Sequence, residues 1–178
     1  IGLALWMGFR LPLNFNSPYK AINITDFWRR WHISLSSWLK DYLYIPLGGN
    51  RKGKVRTYIN LMLTMLLGGL WHGANLRFVI WGALHGLYLA VHKFWLTLFP
   101  KQNSKLRPLR VFITFHLVTL TWMAFRARNM QAVKYMFQQI TTNFKGSHIP
   151  EMLLAYRAVF LLILTGFVVH WLPVRWKD

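Results

Sequence analysis

A histidine stands inside a long apolar segment of this sequence. His72 belongs to the stretch GGLWHGANL, and the 20 residues between Arg56 and Arg77 include no Asp, Glu, Lys or Arg. An ionisable side chain within such a segment is a functional hypothesis by default, because burying its charge is costly. A structural role is the alternative, since an imidazole that hydrogen-bonds a neighbouring carbonyl also holds helices together. The pattern alone leaves both interpretations open.

Two further histidines lie in aromatic or glycine-rich surroundings. His32, in the stretch RRWHISLS, follows Trp28 by four residues and projects near the apolar side of an amphipathic segment. His85, in the stretch GALHGL, is flanked by Gly82 and Gly86, and small residues of this kind allow tight helix packing. From their spacing alone, structural roles are favoured for both histidines.

The other residue types narrow the chemistry that a histidine can perform here. The chain has no cysteine, which excludes a thiol nucleophile. Its four acidic residues, Asp26, Asp41, Glu151 and Asp178, lie outside the middle of the apolar segments, so a carboxylate pair or a buried Ser-His-Asp triad is unsupported. The histidines lack close ligand spacing, and no metal site is predicted. What remains is a general base that takes a proton from a hydroxyl while the oxygen attacks an acyl carbonyl.

The charge balance suits either a nucleic-acid-binding protein or a membrane protein with basic loops. The 178 residues include 22 Lys and Arg against four acidic residues, and 54% of them are hydrophobic. The basic residues cluster between apolar segments that approach the roughly 20 residues needed to cross a bilayer. A nucleic-acid module would spread them over a folded surface. We therefore predict a lipid-membrane protein with no nucleic-acid partner.

The predicted fold class is all-α, a polytopic transmembrane helical protein with an amphipathic or re-entrant helix. Residues 1–9 would end a helix, residues 25–45 would form the tryptophan-rich amphipathic helix, and Thr25 or Asp26 would cap it. Membrane spans are predicted over residues 57–72, 76–99, 108–125 and 153–174. His72 would then lie about 22 Å along its helix, beyond the middle of a hydrocarbon core of about 30 Å.

The distribution of basic residues predicts the orientation of these spans. Residues 51–56 and 101–110 are rich in Lys and Arg and are expected in the cytoplasm, with residues 126–150 on the other side. The chain begins with Ile1, inside an apolar run. We therefore expect residues 1–178 to be part of a single membrane domain of a longer protein.

Two long motifs resemble a known family. The stretches DFWRRWHISLSSWLKDYLYIPLGGNRKG and NLMLTMLLGGLWHGANLRFVIWGALHGLYL are similar to the membrane-bound O-acyltransferase family, and within it to the alginate O-acetylation branch. The resemblance extends from about Gly8 to Val91 and implies that His72 is the catalytic base and that His32 is the second active-site histidine. It makes Trp71, Asn75, Arg29 and Arg30 weaker candidates for lining a substrate tunnel.

The resemblance also implies a reaction and its participants. An acyl group, acetyl in this branch, would pass from a cytoplasmic donor such as acetyl-CoA to an exported polysaccharide such as alginate. The donor would be a substrate, with no bound cofactor and no metal. Periplasmic acetyltransferase partner proteins would complete the transfer, and the protein would be a multi-pass component of the bacterial inner membrane.

Three alternative functions stay open at this point. D-alanyl transfer to teichoic acid and O-acetylation of peptidoglycan use proteins similar to the same family. A transporter or channel component belongs to a different class, and intramembrane histidines serve proton relays in such proteins.

Overall fold

A computed structural model describes residues 2–100 and 103–172, and these residues form helices and no strand, as the all-α prediction requires. The chain divides into two compact units, Ile1–Met130 and Gln131–Asp178. The α-helices of the described residues are α1 (Gly2–Trp6), α2 (Ile24–Arg30), α3 (Ile33–Leu39), α4 (Gly53–Trp71), α5 (Leu76–Leu98), α6 (Arg107–Arg126), α7 (Met130–Thr141), α8 (Ile149–Ala155) and α9 (Arg157–Trp171).

Helices α4 and α5 form an antiparallel hairpin in which glycines allow the two backbones to touch. A Cβ atom at Gly69 would clash with the carbonyl oxygen of Phe78, and one at Gly82 would clash with the carbonyl oxygen of Met65. A backbone oxygen cannot move aside as a flexible side chain can. Small residues are therefore required at both positions, in agreement with the close packing expected from the sequence.

The core of the first unit lies where α2 packs against α5 and α6. Four buried residues form its centre, and aromatic side chains such as Trp28, Trp31 and Trp122 surround them. The central residues are Ala21, Ile24, Phe27 and Val118. This aromatic core joins the segment that carries His32 to the helices that follow His72.

Within the described residues, one helical stretch has the length and apolar character of a membrane span, Ser104–Arg126. The pair Gly146–Ala155 and Arg157–Trp171 meets the same criterion only when taken together, and it is bent by 88°. Helices α4 and α5 do not meet it, because they carry polar side chains, among them Asn60 and His85, which are buried. The multi-pass arrangement stays a prediction.

The predicted continuous helix over residues 25–45 is wrong. It is interrupted at His32, whose φ of 46° and ψ of 55° are left-handed, and α3 ends in a π-helical turn, Lys40–Tyr44. The cap predicted at Thr25 or Asp26 is also displaced, since the side chain of Asn23 accepts a hydrogen bond from the backbone N–H of Asp26.

The start of α4 changes the estimated position of His72. The helix begins at Gly53, four residues before the predicted start, and His72 follows its last residue as the C-terminal cap. His72 therefore lies about 28 Å from the helix start at 1.5 Å per residue. The imidazole is at the end of a helix and not within one.

The remaining helices differ from the predicted bounds to different degrees. Helices α5 and α6 agree to within one residue at each end with the predictions of 76–99 and 108–125. In the second unit, the helix predicted over residues 153–174 is broken at Tyr156 into α8 and α9. Residues 173 and 174 of that prediction lie outside the described part of the chain.

Candidate active site

His32 lies at the break between α2 and α3, and the preceding loop stabilises this break. The backbone N–H of Ile33 donates to the carbonyl of Asn14 at 2.9 Å, and Asn14 Oδ1 accepts from both the N–H and the hydroxyl of Ser34 at 3.0 Å each. A left-handed residue other than glycine is uncommon and marks functional sites when the surroundings enforce it. The loop therefore holds His32 in a conformation that the helix alone would not adopt.

The imidazole of His32 is half-buried among aromatic side chains. Its ring centroid lies 6.1 Å from that of Phe15, which itself packs edge-on against Trp31 at 4.9 Å. The Nδ1 atom of His32 is buried and has no hydrogen-bond partner. Phe15 also belongs to residues 11–15, which line an open apolar cavity of about 480 Å³.

His72 is enclosed by rings from three directions. Trp71, Trp81 and Phe125 contact it with centroid distances of 5.1, 5.4 and 5.1 Å, each close to perpendicular. The backbone turns sharply after His72, since Gly73 has a φ of 147° and its N–H donates to Leu70. The helix end and the turn together fix the imidazole at the meeting point of α4, α5 and α6.

The fold brings the two predicted catalytic histidines into one region. They are 40 residues apart in the chain, and a series of packed rings connects them. His32 reaches this region from the α2–α3 break and contacts Phe15, and His72 reaches it from the end of α4 and contacts Trp81. The rings between them are Trp31, Phe27 and Trp28. The two-histidine site and the catalytic roles remain predictions.

The weaker candidates near His72 occupy different positions. Trp71 is 63% exposed and touches His72 through its ring. Asn75 caps α5, because its Oδ1 accepts a hydrogen bond from the N–H of Arg77 at 3.2 Å. Asn75 therefore has a structural role. Lining a substrate tunnel stays a prediction for Trp71 and Asn75.

The two arginines beside His32 also differ. Arg29 is exposed. Arg30 pairs with Asp26 at 2.8 Å in an i,i+4 arrangement, and it donates to the carbonyl of Asn16 at 3.3 Å. Arg30 thus links α2 to the loop that stabilises the break between α2 and α3. Neither contact indicates that Arg30 binds a substrate.

Two further residues that shape this region, Asn14 and Arg77, are not among the residues predicted from the sequence. Asn14 is one of several asparagines in its loop, and its type alone does not single it out. Arg77 lies over the ring of Phe78, at 4.6 Å from its centroid, and donates a hydrogen bond to the carbonyl of Ala127 beyond the end of α6. In the sequence, Arg77 stands out as the single charged residue at the end of an uncharged segment. Nothing in the sequence distinguishes Asn14, whose role is visible only in its tertiary contacts.

His85 proves to be the most enclosed of these histidines. It has no exposed surface, and its Nε2 lies 3.0 Å from the hydroxyl of Thr121 on α6. This contact joins α5 to α6 and agrees with the packing role favoured by the sequence. Among residues 2–100 and 103–172, no group of three or more His, Asp or Glu side chains has the arrangement of a metal site.

Comparison with known proteins identifies relatives over most of the chain. A "Probable alginate O-acetylase AlgI" of Pseudomonas fluorescens is 56% identical over 77% of this chain and 27% of its own length. The "Peptidoglycan O-acetyltransferase" of Helicobacter pylori is 52% identical over 74% of this chain and 25% of its own length. The "Teichoic acid D-alanyltransferase" of Bacillus subtilis is 31% identical over 72% of this chain and 35% of its own length.

These relatives are considerably longer than the chain. It spans about a quarter to a third of the length of the curated relatives it matches, with covered shares of 25% to 35%. The model of the membrane-bound O-acyltransferase family matches residues 1–137, which include both His32 and His72. This chain therefore belongs to the membrane-bound O-acyltransferase family.

Proposed function

We propose that this chain is part of an enzyme that transfers an acetyl group to hydroxyls of an exported polysaccharide such as alginate. The observation that carries the proposal is the aromatic core that links His32 and His72, which lie on segments 40 residues apart. Family membership supports acyl transfer as the class of reaction. The geometry supports a site in which a histidine acts next to a second histidine, within an aromatic and largely apolar surround.

The proposed mechanism assigns His72 as the general base. Its neutral imidazole takes the proton of the acceptor hydroxyl while that oxygen attacks the carbonyl carbon of the acyl donor. The bond between the carbonyl carbon and the donor's leaving group then breaks, and the leaving group receives the proton from His72. With acetyl-CoA as the donor, the products are the acetyl ester and the free thiol.

His32 is the proposed helper in this reaction. Its left-handed backbone and the Asn14 contacts to the next two residues hold its backbone in place, and preorganised polar groups cost little reorganisation during a reaction. The buried Nδ1 atom without a partner leaves one ring nitrogen available to a substrate or to an intervening group. Trp71 and Arg29 are the exposed candidates for contacting substrate in the proposed tunnel, while Asn75 and Arg30 also carry the structural contacts described above.

The acceptor is proposed from the pattern of similarity. The alginate and peptidoglycan relatives, both named for acetyl transfer, are 56% and 52% identical, whereas the D-alanyl relative is 31% identical. This difference favours acetyl over D-alanyl transfer. Alginate-like polysaccharide is the first acceptor to examine and peptidoglycan the second.

The cellular setting is proposed on the same basis. The enzyme would lie in the bacterial inner membrane with several spans, take its donor from the cytoplasm and deliver acetyl groups through periplasmic acetyltransferase partners. Basic residues at the start of α4 and of α6, such as Lys54, Arg56, Arg107 and Arg110, suit the membrane surface on the cytoplasmic side.

The test uses the complete protein with His72→Ala, and the acetyl content of exported alginate is measured. We expect acetylation to be lost while the protein remains in the membrane, because the base has been removed. His116→Ala is the matched control, since His116 is an exposed histidine on α6. Unchanged acetylation in His72→Ala would contradict the proposal, and a transport defect with intact acetylation would favour a transporter.

A further inference from the structure

Three rings in the first unit touch one another at the boundary between α2 and α5. The centroids of Trp28 and Trp81 are 5.8 Å apart, those of Trp28 and His85 are 5.2 Å apart, and those of Trp81 and His85 are 4.7 Å apart. His85 is 0% exposed and Trp81 is 4% exposed. The two buried rings and the partly buried ring of Trp28 form one group, here called the indole–imidazole cluster.

The hydrogen bond to Thr121 determines which nitrogen of His85 carries the proton. The Thr121 hydroxyl has a single proton, which it donates to the carbonyl of Val118 at 2.7 Å. Its oxygen must then accept from Nε2–H of His85, which lies 3.0 Å away. In the uncharged ring, Nδ1 is consequently a bare acceptor. That Nδ1 atom is buried and has no hydrogen-bond partner.

The two indoles of the cluster have hydrogen-bond donors without a partner, which complement the acceptor of His85. Nε1 of Trp28 and Nε1 of Trp81 are both buried without a partner, and an indole N–H is only a donor. Buried polar atoms are hydrogen-bonded in about nine cases of ten, and each orphan costs roughly 1–3 kcal/mol. Two orphan donors and one orphan acceptor thus lie on three touching rings.

We propose that Trp28, Trp81 and His85 form a binding site for one hydroxyl-type oxygen. The lone pairs of such an oxygen accept hydrogen bonds from the two indole N–H groups. Its own proton is donated in a hydrogen bond to Nδ1 of His85. A carbonyl oxygen lacks that proton, and an ammonium group lacks the lone pairs. The oxygen comes either from a buried water or from a hydroxyl of the acyl acceptor other than the one that His72 deprotonates, and both present the same chemistry.

The site adjoins the proposed catalytic base through one shared residue. The ring of Trp81 lies edge-on to His72 on one side and contacts His85 on another. An oxygen bonded to the Trp81 N–H would fix the indole against which His72 packs. This link to the reaction rests on the proposed function, whereas the existence of the oxygen site does not.

The structural test is to determine the structure of the complete protein, with and without an alginate oligosaccharide. The resolution must be sufficient to show ordered waters. An oxygen bonded to Nδ1 of His85 and to at least one indole N–H in both maps identifies a buried water. The same density in the oligosaccharide map alone identifies the alcohol. Either result supports the site. The absence of an oxygen from both maps, or another protein group bonded to these nitrogens, would overturn it.

The functional test removes one donor and keeps its ring. Trp81→Phe retains an aromatic ring but has no N–H, and we expect kcat to fall about tenfold with little change in KM, the effect of one lost hydrogen bond. Trp95→Phe is the control, because Trp95 is exposed and its ring packs on that of Phe99, away from the indole–imidazole cluster. Full activity of Trp81→Phe would refute the link to catalysis. Failure of the His72 experiment would instead refute the proposed function and leave the density result intact.

Discussion

The imidazole of His72 lies edge-on to the indole of Trp81, with ring centroids 5.4 Å apart and planes at 89°. Edge-to-face pairs of this kind contribute about 0.5–1.5 kcal/mol beyond their burial, and they define the orientation of both rings. The proposed base is therefore oriented by a side chain of α5 although it follows α4. The positions that hold these helices together should influence the reaction without touching a substrate.

The backbone and the side chain of His32 can be tested separately. His32→Gly keeps the left-handed conformation available but removes the imidazole, whereas His32→Ala removes the imidazole and retains the strain of a Cβ at φ 46°. We expect both variants to lose acetyl transfer. The alanine variant should also be less stable than the glycine variant by about 1–2 kcal/mol. Thermal unfolding of the purified full-length protein, with transfer assays, measures both effects, and equal melting of the two variants would contradict the strain argument.

Asn14 should support activity through the position of His32. Asn14→Ala removes both hydrogen bonds to Ser34, each with a net value of about 1 kcal/mol, while the backbone bond to Ile33 remains. We expect transfer to fall severalfold with a modest loss of melting temperature. Asn143→Ala is the control, because Asn143 is exposed and accepts only a long bond of 3.4 Å from Thr142. Equal activity of the two variants would rule out this role of Asn14.

The α4–α5 contact should not tolerate a single added methyl group. In Gly82→Ala the new Cβ would overlap the carbonyl of Met65, and overpacking of this type costs about 1–3 kcal/mol. Gly166→Ala on α9 has open space around the new methyl and should be neutral or slightly stabilising. Melting curves of the two variants test the contrast, which would be refuted by equal melting temperatures.

The hydrogen bond between Thr121 and His85 should contribute to stability. Thr121→Val keeps the shape of the side chain but leaves Nε2–H of His85 without a partner, which costs about 1–3 kcal/mol in a buried site. Thr119→Val, on the same helix, removes an exposed hydroxyl that bonds only within its own helix, and it should have little effect. Thermal unfolding compares them, and Thr121→Ser should restore the stability.

Much of this arrangement was predictable because it depends on local patterns. The bounds of α5 and α6 follow from apolar runs ended by Asn75, Pro100 and Arg126, and Gly82 indicated close packing from the sequence alone. His72 was recognisable because an imidazole in an uncharged run is costly unless it has a purpose. Each of these signals lies within about one helical turn of the feature that it predicts.

The break at His32 was not predictable, because its cause lies elsewhere in the chain. The tryptophans around it recur at a helical spacing, and that periodicity continues through the break. The competing hydrogen bonds come from Asn14 and Asn16, which lie 16 to 18 residues earlier. His85 shows the same limitation, since its partner Thr121 is 36 residues away on another helix.

The four-residue connection between α4 and α5 limits how far His72 can move relative to these helices. Only His72, Gly73 and two further residues separate the helices, the N–H of Asn75 donates to the carbonyl of Gly73, and Arg77 anchors the start of α5 to Ala127. His72 is therefore tied closely to α4, α5 and α6. We expect any movement within the proposed site to involve the His32 side, where the break between α2 and α3 adjoins the Asn14 loop.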